Sequence, residues 1–284
     1  MAGVRELNWD GLVNGRDLGG LPAHRGRSVR RAALARSGNV AWLRPKGWSA
    51  LWGHGVRTVI DLTDPGEDGP DRAPRPPGLS TVRLPLDDSS DTEFWQRWGG
   101  PLSCTPLYYA EFLERYPERV AEVVRAVARA EPGGVLVHCG SGRDRTGLIV
   151  LVMLALVGVP AEEIAADHAL SHEPLRLLAA AEGRDDDAPK IARLLAEHGR
   201  TAEEVLTSIT ETVDFPALLS AAGLSELDLQ ALRARLLDDR AGSRRSRGGP
   251  MQARRRSARR SVGFHACGCG CARGCDATRG RLAS

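Results

Sequence analysis

The apolar positions along the chain change period several times, and each change marks an element. Val135-Leu136-Val137 is a short β-branched run behind a Pro132-Gly133-Gly134 breaker, which predicts a buried strand. From 145 to 157 almost every residue beyond the first turn is apolar, which predicts a helix buried on most sides. Upstream, residues 56–62 and 81–86 have strand character, and 108–130 has helical spacing. Beyond Pro160 the pattern becomes helical throughout, with segments 162–169, 188–198, 201–219 and 225–237; Ser225 and Asp228 form a capping signal for the last. Strands alternating with helices predict an α/β fold, a central mostly parallel sheet flanked by helices, with a helical C-terminal part.

Two linkers interrupt the alternation. Residues 64–78 are dense in Pro, Gly and charge, which predicts an exposed loop near the mouth of a site. Residues 87–106 hold Phe94, Trp95 and Trp98 among acidic residues and glycines. Those rings are expected to pack the loop onto the domain, a lid over an aromatic ligand being the alternative.

The candidate chemistry follows the 135–137 strand, in His138-Cys139-Gly140-Ser141-Gly142-Arg143-Asp144-Arg145-Thr146-Gly147. Gly140 and Gly142 permit backbone turns closed to other residues, so successive amides, from Gly140 through Arg145, can converge on an anion. The helix N-terminus adds its dipole at the same point, and Arg145 adds a planar fork matched to two phosphate oxygens. Such a field favours a thiolate, so Cys139 is expected to be a nucleophile toward a phosphate monoester, not an inert buried thiol. His138 is expected to support the loop backbone and not to act as a base. Thr146 has two readings, a partner for the sulfur or hydrolytic water and a first-turn residue serving local backbone. A leaving group needs an acid, for which the chain offers Asp144 in the loop and the Asp87-Asp88 pair after the 82–86 apolar stretch.

At these residues the chain resembles the protein tyrosine phosphatase superfamily, and within it the bacterial tyrosine and dual-specificity phosphatases of the mycobacterial PtpB type. The loop is similar to their His-Cys-x-x-Gly-Lys-Asp-Arg-Thr-Gly. Asn14-Gly15-Arg16-Asp17-Leu18-Gly19-Gly20, Arg36-Ser37, Asp61-Leu62 and Ala166-Asp167-His168 follow in the family's order, so that the likeness spans about 8–238. The resemblance implies the cysteine-based phosphatase fold and a cysteinyl-phosphate intermediate. It also implies a site of Cys139, Arg145, the loop residues Gly140, Ser141, Gly142, Arg143 and Asp144, and a second acid best matched by Asp88. The implied substrate is a phosphotyrosine protein or peptide, with phosphoserine, phosphothreonine and phosphoinositide left open, and no metal or cofactor is called for. Two departures stand out: Arg143 replaces the family's lysine, and Thr63 replaces an arginine after Asp61-Leu62. Arg16 and Asp17 are expected to be structural, and Asp61 to cap the turn after its strand.

Composition refines this picture. With 284 residues, 42% of them hydrophobic, the chain can build one sizeable core. The first residues lack a signal-peptide pattern and the apolar run near 148–159 is too short to span a bilayer, so a cytoplasmic enzyme is expected. From Arg240 onward there are twelve Arg and one Asp, a charge of +11 against +3 for the whole chain. The expected division is therefore a phosphatase domain over 1–239 and a disordered Arg/Gly/Cys-rich tail over 240–284, for which weak electrostatic contact with acidic surfaces and no obligate nucleic-acid partner are expected. Cys267, Cys269, Cys271 and Cys275 with His265 lack zinc-ligand spacing. Cys104 has no evident partner, and the need of Cys139 to stay reduced fits a reducing compartment. The rival functions are a catalytically silent phosphate-recognition module, a rhodanese-like sulfurtransferase, and nucleic-acid association through the tail.

Overall fold

The computed structural model describes residues 5–238. Its sheet has five strands: β1 (Arg16–Asp17), β2 (Leu34–Ser37), β3 (Val56–Asp61), β4 (Ser80–Arg83) and β5 (Gly134–His138). They lie in the order β1-β2-β5-β3-β4, with β1 antiparallel to β2 and every other pairing parallel. The expected mostly parallel α/β sheet is therefore present. The described helices are α1 (Pro45–His54), α2 (Thr92–Trp98), α3 (Tyr109–Arg115), α4 (Pro117–Ala128), α5 (Asp144–Leu156), α6 (Ala161–Ala169), α7 (His172–Ala181), α8 (Ala188–Glu197), α9 (Ala202–Thr212), α10 (Phe215–Ala221) and α11 (Glu226–Leu236).

Strand alternation sorts the core into two layers. Leu34, Ile60, Val135 and Val137 point to the large cluster that includes the buried faces of α4 and α5. Ala35, Val59 and Leu136 point the other way, onto Trp48 and Leu51 of α1. Helix α5 is buried at every residue from 146 to 154, which explains its lack of a polar face. No described helix is long and apolar enough to cross a membrane.

Several elements differ from the sequence expectation. The single 108–130 helix is two, α3 and α4, because Pro117 starts a new first turn and Tyr116 leaves helical geometry at φ −130°. The 201–219 helix likewise divides at Val213-Asp214, where the Asp214 carboxylate accepts from the Ala217 amide and Pro216 opens α10. The second strand stops at Arg83, three residues short of the expected 86. The 87–106 linker contains α2, capped by Asp91. Its Phe94 is buried at 5.3 Å from Tyr116 and 5.9 Å from Phe112, ring centroid to centroid, so this ring packs as expected. Ser225 and Asp228 form the expected capping box. The 240–284 tail, with His265 and its four cysteines, lies outside the described residues.

Candidate active site

β5 is flanked on both sides, by β2 and β3, and Cys139 follows it at the carboxyl edge of the sheet, where open α/β sheets place their sites. The loop is clamped from outside through its carbonyls. The Asn39 amide donates to Gly140 O at 2.9 Å, Asn14 Nδ2 to Ser141 O at 3.0 Å, and Arg36 Nη2 to Gly142 O at 2.8 Å. With the carbonyls held outward, the amides of Gly140, Ser141 and Gly142 have no acceptor among the described residues. Gly142 has φ +73°, and a Cβ there would lie 2.3 Å from Ser37 O, so both its conformation and its close approach to β2 require glycine. Asn14 also takes the left-handed conformation, at φ 54°, which aims its amide at the loop.

The clamp is electrostatically anchored. Asp167 on α6 is 1% exposed and accepts from Arg5, Arg16 and Arg36 at 2.8–3.1 Å, and Arg16 also donates to Asn14 Oδ1 at 2.7 Å. One carboxylate thus fixes the two side chains, Asn14 and Arg36, that hold the loop. Arg16 is structural, as expected; Asp17 accepts from the Gly19 and Ala32 amides and holds a turn. Burial raises the Asp167 pKa, but Arg16 and Arg36 outweigh it and hold the carboxyl well below the usual range. Its contribution to stability is therefore present above the unfolded carboxyl value and lost as pH falls below it. Asp167→Asn leaves two buried guanidinium groups uncompensated and is expected to cost about 3–5 kcal/mol, read as a lower denaturant midpoint at pH 7.

A cavity of roughly 430 Å³ opens at the loop, lined by Asp64, Asp87, Trp95, Tyr108, Asp144 and Arg145 among others. Burial opposes the charge of Arg145, but Glu67, Cys139 and Asp87 outweigh it and hold the guanidinium above its usual range. Nη1 of Arg145 donates to Glu67 Oε2 at 2.7 Å, Nη2 donates to Oε1, and Nε lies 3.6 Å from Asp87. Asp87 is pushed up to about 6 by burial, helped by Asp64 and Glu67 and opposed by Arg145, and its Oδ1 is buried without a partner among the described residues. Asp144 is also raised by burial, but its carboxylate accepts from Arg143 at 3.2 Å.

Asp88 lies elsewhere. Its carboxylate accepts from Ser90 and pairs with Arg119 at 3.1 Å, and Ser90 and Arg119 hold its pKa down. The cavity lining includes Asp87 and not Asp88. Arg143 is not free to reach a ligand either, because it is paired with Asp144 and, at 3.0 Å, with Asp187. Ser141 Oγ accepts from the Arg143 amide at 3.3 Å. Thr146 is buried and its hydroxyl has no hydrogen-bond partner among the described residues, so it does not serve local backbone. Trp95 lines the cavity and donates its ring N–H to Asp88 O at 2.7 Å, combining packing with a place at the mouth. Cys104 lines the same cavity.

His138 is fully buried, with Nδ1 at 3.4 Å from the Cys139 carbonyl and Nε2 at 3.7 Å from Asp61. Burial, only partly offset by Asp61, pushes it down to about 4, so the ring is neutral near pH 7 and unsuited to hold a proton there. Asp61, Asp68 and His138 form a group whose ligand atoms lie within 4.8 Å of one another. Arg83 already bridges both carboxylates at 2.7 and 2.9 Å, so its guanidinium holds the cation position between the two acids. Thr63, where the resembled family has arginine, donates one proton between Asp61 at 2.6 Å and Asp68 at 2.9 Å. A single hydroxyl proton cannot serve two ionised carboxylates, and Asp68 is accordingly pushed up to about 6 by burial and Asp61. Asp61 also accepts from the Thr63 amide, the turn-capping role expected of it.

Sequence reasoning did not assign roles to Glu67, Asn14, Arg36 or Asp167. Asn14, Arg36 and Asp167 belong to segments singled out for resemblance alone, and Glu67 had no signal beyond its charged loop.

Residues 7–238 match the family described as the tyrosine phosphatase family. A Cupriavidus necator protein named as a tyrosine-protein phosphatase is 32% identical over 176 residues, covering 60% of this chain and 64% of that protein. The chain thus spans under two thirds of that relative. A Nostoc commune tyrosine-protein phosphatase is 26% identical, with 76% and 78% of the two chains covered. The triple specificity protein phosphatase PtpB of Mycobacterium tuberculosis is 27% identical, with 82% and 99% covered. Since the family match takes in nearly all the described residues, this chain belongs to the tyrosine phosphatase family.

Proposed function

We propose that the protein is a cysteine-dependent phosphomonoesterase acting first on phosphotyrosine. The observation that carries this is the loop itself: a cysteine and an arginine flanking a turn whose carbonyls are bound outward and whose Gly140, Ser141 and Gly142 amides are unpaired among the described residues. The Cys139 sulfur attacks phosphorus, the ester P–O bond breaks, and its electron pair goes to the tyrosyl oxygen, which takes a proton from Asp87. Water then attacks the cysteinyl-phosphate, Asp87 takes back a proton, and inorganic phosphate leaves with the sulfur restored as thiolate. Loop amides and Arg145 hold the equatorial oxygens throughout.

Asp87 replaces Asp88 as the acid of this scheme because it lines the cavity beside Arg145 and has an uncommitted oxygen. Asp144, committed to Arg143, is assigned to holding the loop. Trp95 and Tyr108 offer apolar wall for a phenyl ring. Phosphoinositide headgroups are a weaker match, since Arg143 is paired and Asp64, Asp87 and Asp144 surround the mouth. The full chain is expected to hydrolyse p-nitrophenyl phosphate and a phosphotyrosine peptide with EDTA and reductant present. Phosphate binding without any turnover would instead support the recognition module.

A further inference from the structure

Glu67 occupies the place that a phosphoryl group needs. Its two carboxylate oxygens meet the two terminal nitrogens of Arg145 in a fork-to-fork pair, the same geometry by which an arginine holds phosphate. Its Oε1 also lies against the loop, 3.2 Å from where a Cβ on Gly140 would stand. A carboxylate that merely oriented Arg145 from behind would leave the loop side open; this one stands over the loop's first glycine.

The segment bearing Glu67 can release it. Glu67 belongs to a turn closed by its amide donating to Asp64 O at 3.1 Å, and Gly66 and Gly69 on either side have φ +90° and +70°. Beyond Arg145, the Glu67 carboxylate accepts only from the Asp64 amide among the described residues, at 3.2 Å, and its side chain is 34% exposed. The next residue is tied to the clamp, since Asn39 Nδ2 donates to Asp68 O at 3.0 Å, so release is a rotation of the Glu67 side chain and not a movement of the segment.

We propose that Glu67 is an internal competitor for the phosphate subsite, seated on Arg145 when the cradle is empty and displaced into solvent when a phosphoryl group enters. This rests on the assignment of Arg145 to phosphate binding. The device sets a threshold: a phosphate ester dianion, with more charge than a carboxylate and with loop amides to satisfy, exchanges for Glu67, whereas ordinary carboxylates gain nothing over the one already present. It also limits inhibition by the inorganic phosphate product.

The experiment is competition of inorganic phosphate against p-nitrophenyl phosphate turnover for the full chain and for Glu67→Gln, which keeps the shape and removes the charge. Loss of a charge-assisted competitor is expected to tighten the phosphate inhibition constant about tenfold or more, with KM falling in parallel. A positioning role for Glu67 gives the opposite sign, weaker phosphate binding as Arg145 loses its partner, and that result or an unchanged constant overturns the proposal. Glu67→Ala is measured beside it, and the same tightening is expected from a variant that leaves no side chain to rearrange. If the unaltered protein neither turns over substrate nor binds phosphate, the assignment of Arg145 fails, and the competitor falls with it.

Discussion

Cys139→Ser is expected to reduce hydrolysis of p-nitrophenyl phosphate by on the order of 10⁴-fold or more, because Cys139 is the nucleophile that the loop carries and Cys104, across the cavity, lies outside that loop. The variant should still bind inorganic phosphate within a few-fold of the unaltered protein. That expectation comes from the scaffold, since the loop is held by Asn14, Arg36 and the Asn39 amide through carbonyls that the substitution does not touch. Cys139 is 2% exposed and a serine oxygen is smaller than sulfur, so the exchange leaves the packing nearly intact. Substantial remaining turnover would place the nucleophile elsewhere. Joint loss of turnover and phosphate binding would indicate a collapsed loop and remove the inference about chemistry.

Asp87→Asn is the second large effect, and it is selective. A general acid matters in proportion to how poorly the leaving group departs unaided, so phosphotyrosine hydrolysis should fall about 10²–10⁴-fold while an activated aryl phosphate loses far less. Asp88→Asn should leave both substrates within a few-fold, and Asp144→Asn should lower both alike by loosening Arg143. If Asp144→Asn shows the leaving-group selectivity instead, the acid is Asp144.

The pH profile follows with its sign. An acid must carry its proton, and burial pushes Asp87 up to about 6, so kcat/KM for phosphotyrosine should decline as pH rises through that value. In Asp87→Asn this limb should be absent. The same raised value means that burying Asp87 favours folding below the unfolded carboxyl range and loses that benefit as pH rises through about 6. The asparagine variant should therefore be no less stable than the parent at pH 7, which separates a lost proton donor from a lost fold.

The strand-loop-helix around Cys139 was legible because its ingredients are contiguous: strand, cysteine, two glycines, arginine and helix lie within a dozen or so residues, and each reports on its neighbours. Its clamp was not, because Asn14 and Ser141 are 127 positions apart and Arg36 and Asp167 are 131 apart. Nothing local in an Asp on α6 announces that it will sit among three arginines. Asp87 and Asp88 show a subtler limit. Both are acids after the same strand, and what separates them is direction: Arg119 takes the Pro85 and Asp87 carbonyls with two donations of 3.1 Å and pairs with Asp88, leaving Asp87 to face Arg145. The splits of 108–130 and of 201–219 were both within reach, since Pro117 marks the first break and Asp214 with Pro216 the second.

The outward clamping of the three loop carbonyls has a consequence for how the protein comes apart. Those bonds tie the loop to the residue stretch before β1, to β2 itself and to the turn after it, while β5 is paired on both edges, so the loop has no hinge of its own. Its own amides, unpaired toward the cavity among the described residues, exchange with solvent readily, but the backbone conformation that aims them is lost only when the sheet separates. A cradle with that lifetime is already ordered when the ester arrives, and the binding entropy that a flexible loop would surrender has been spent during folding.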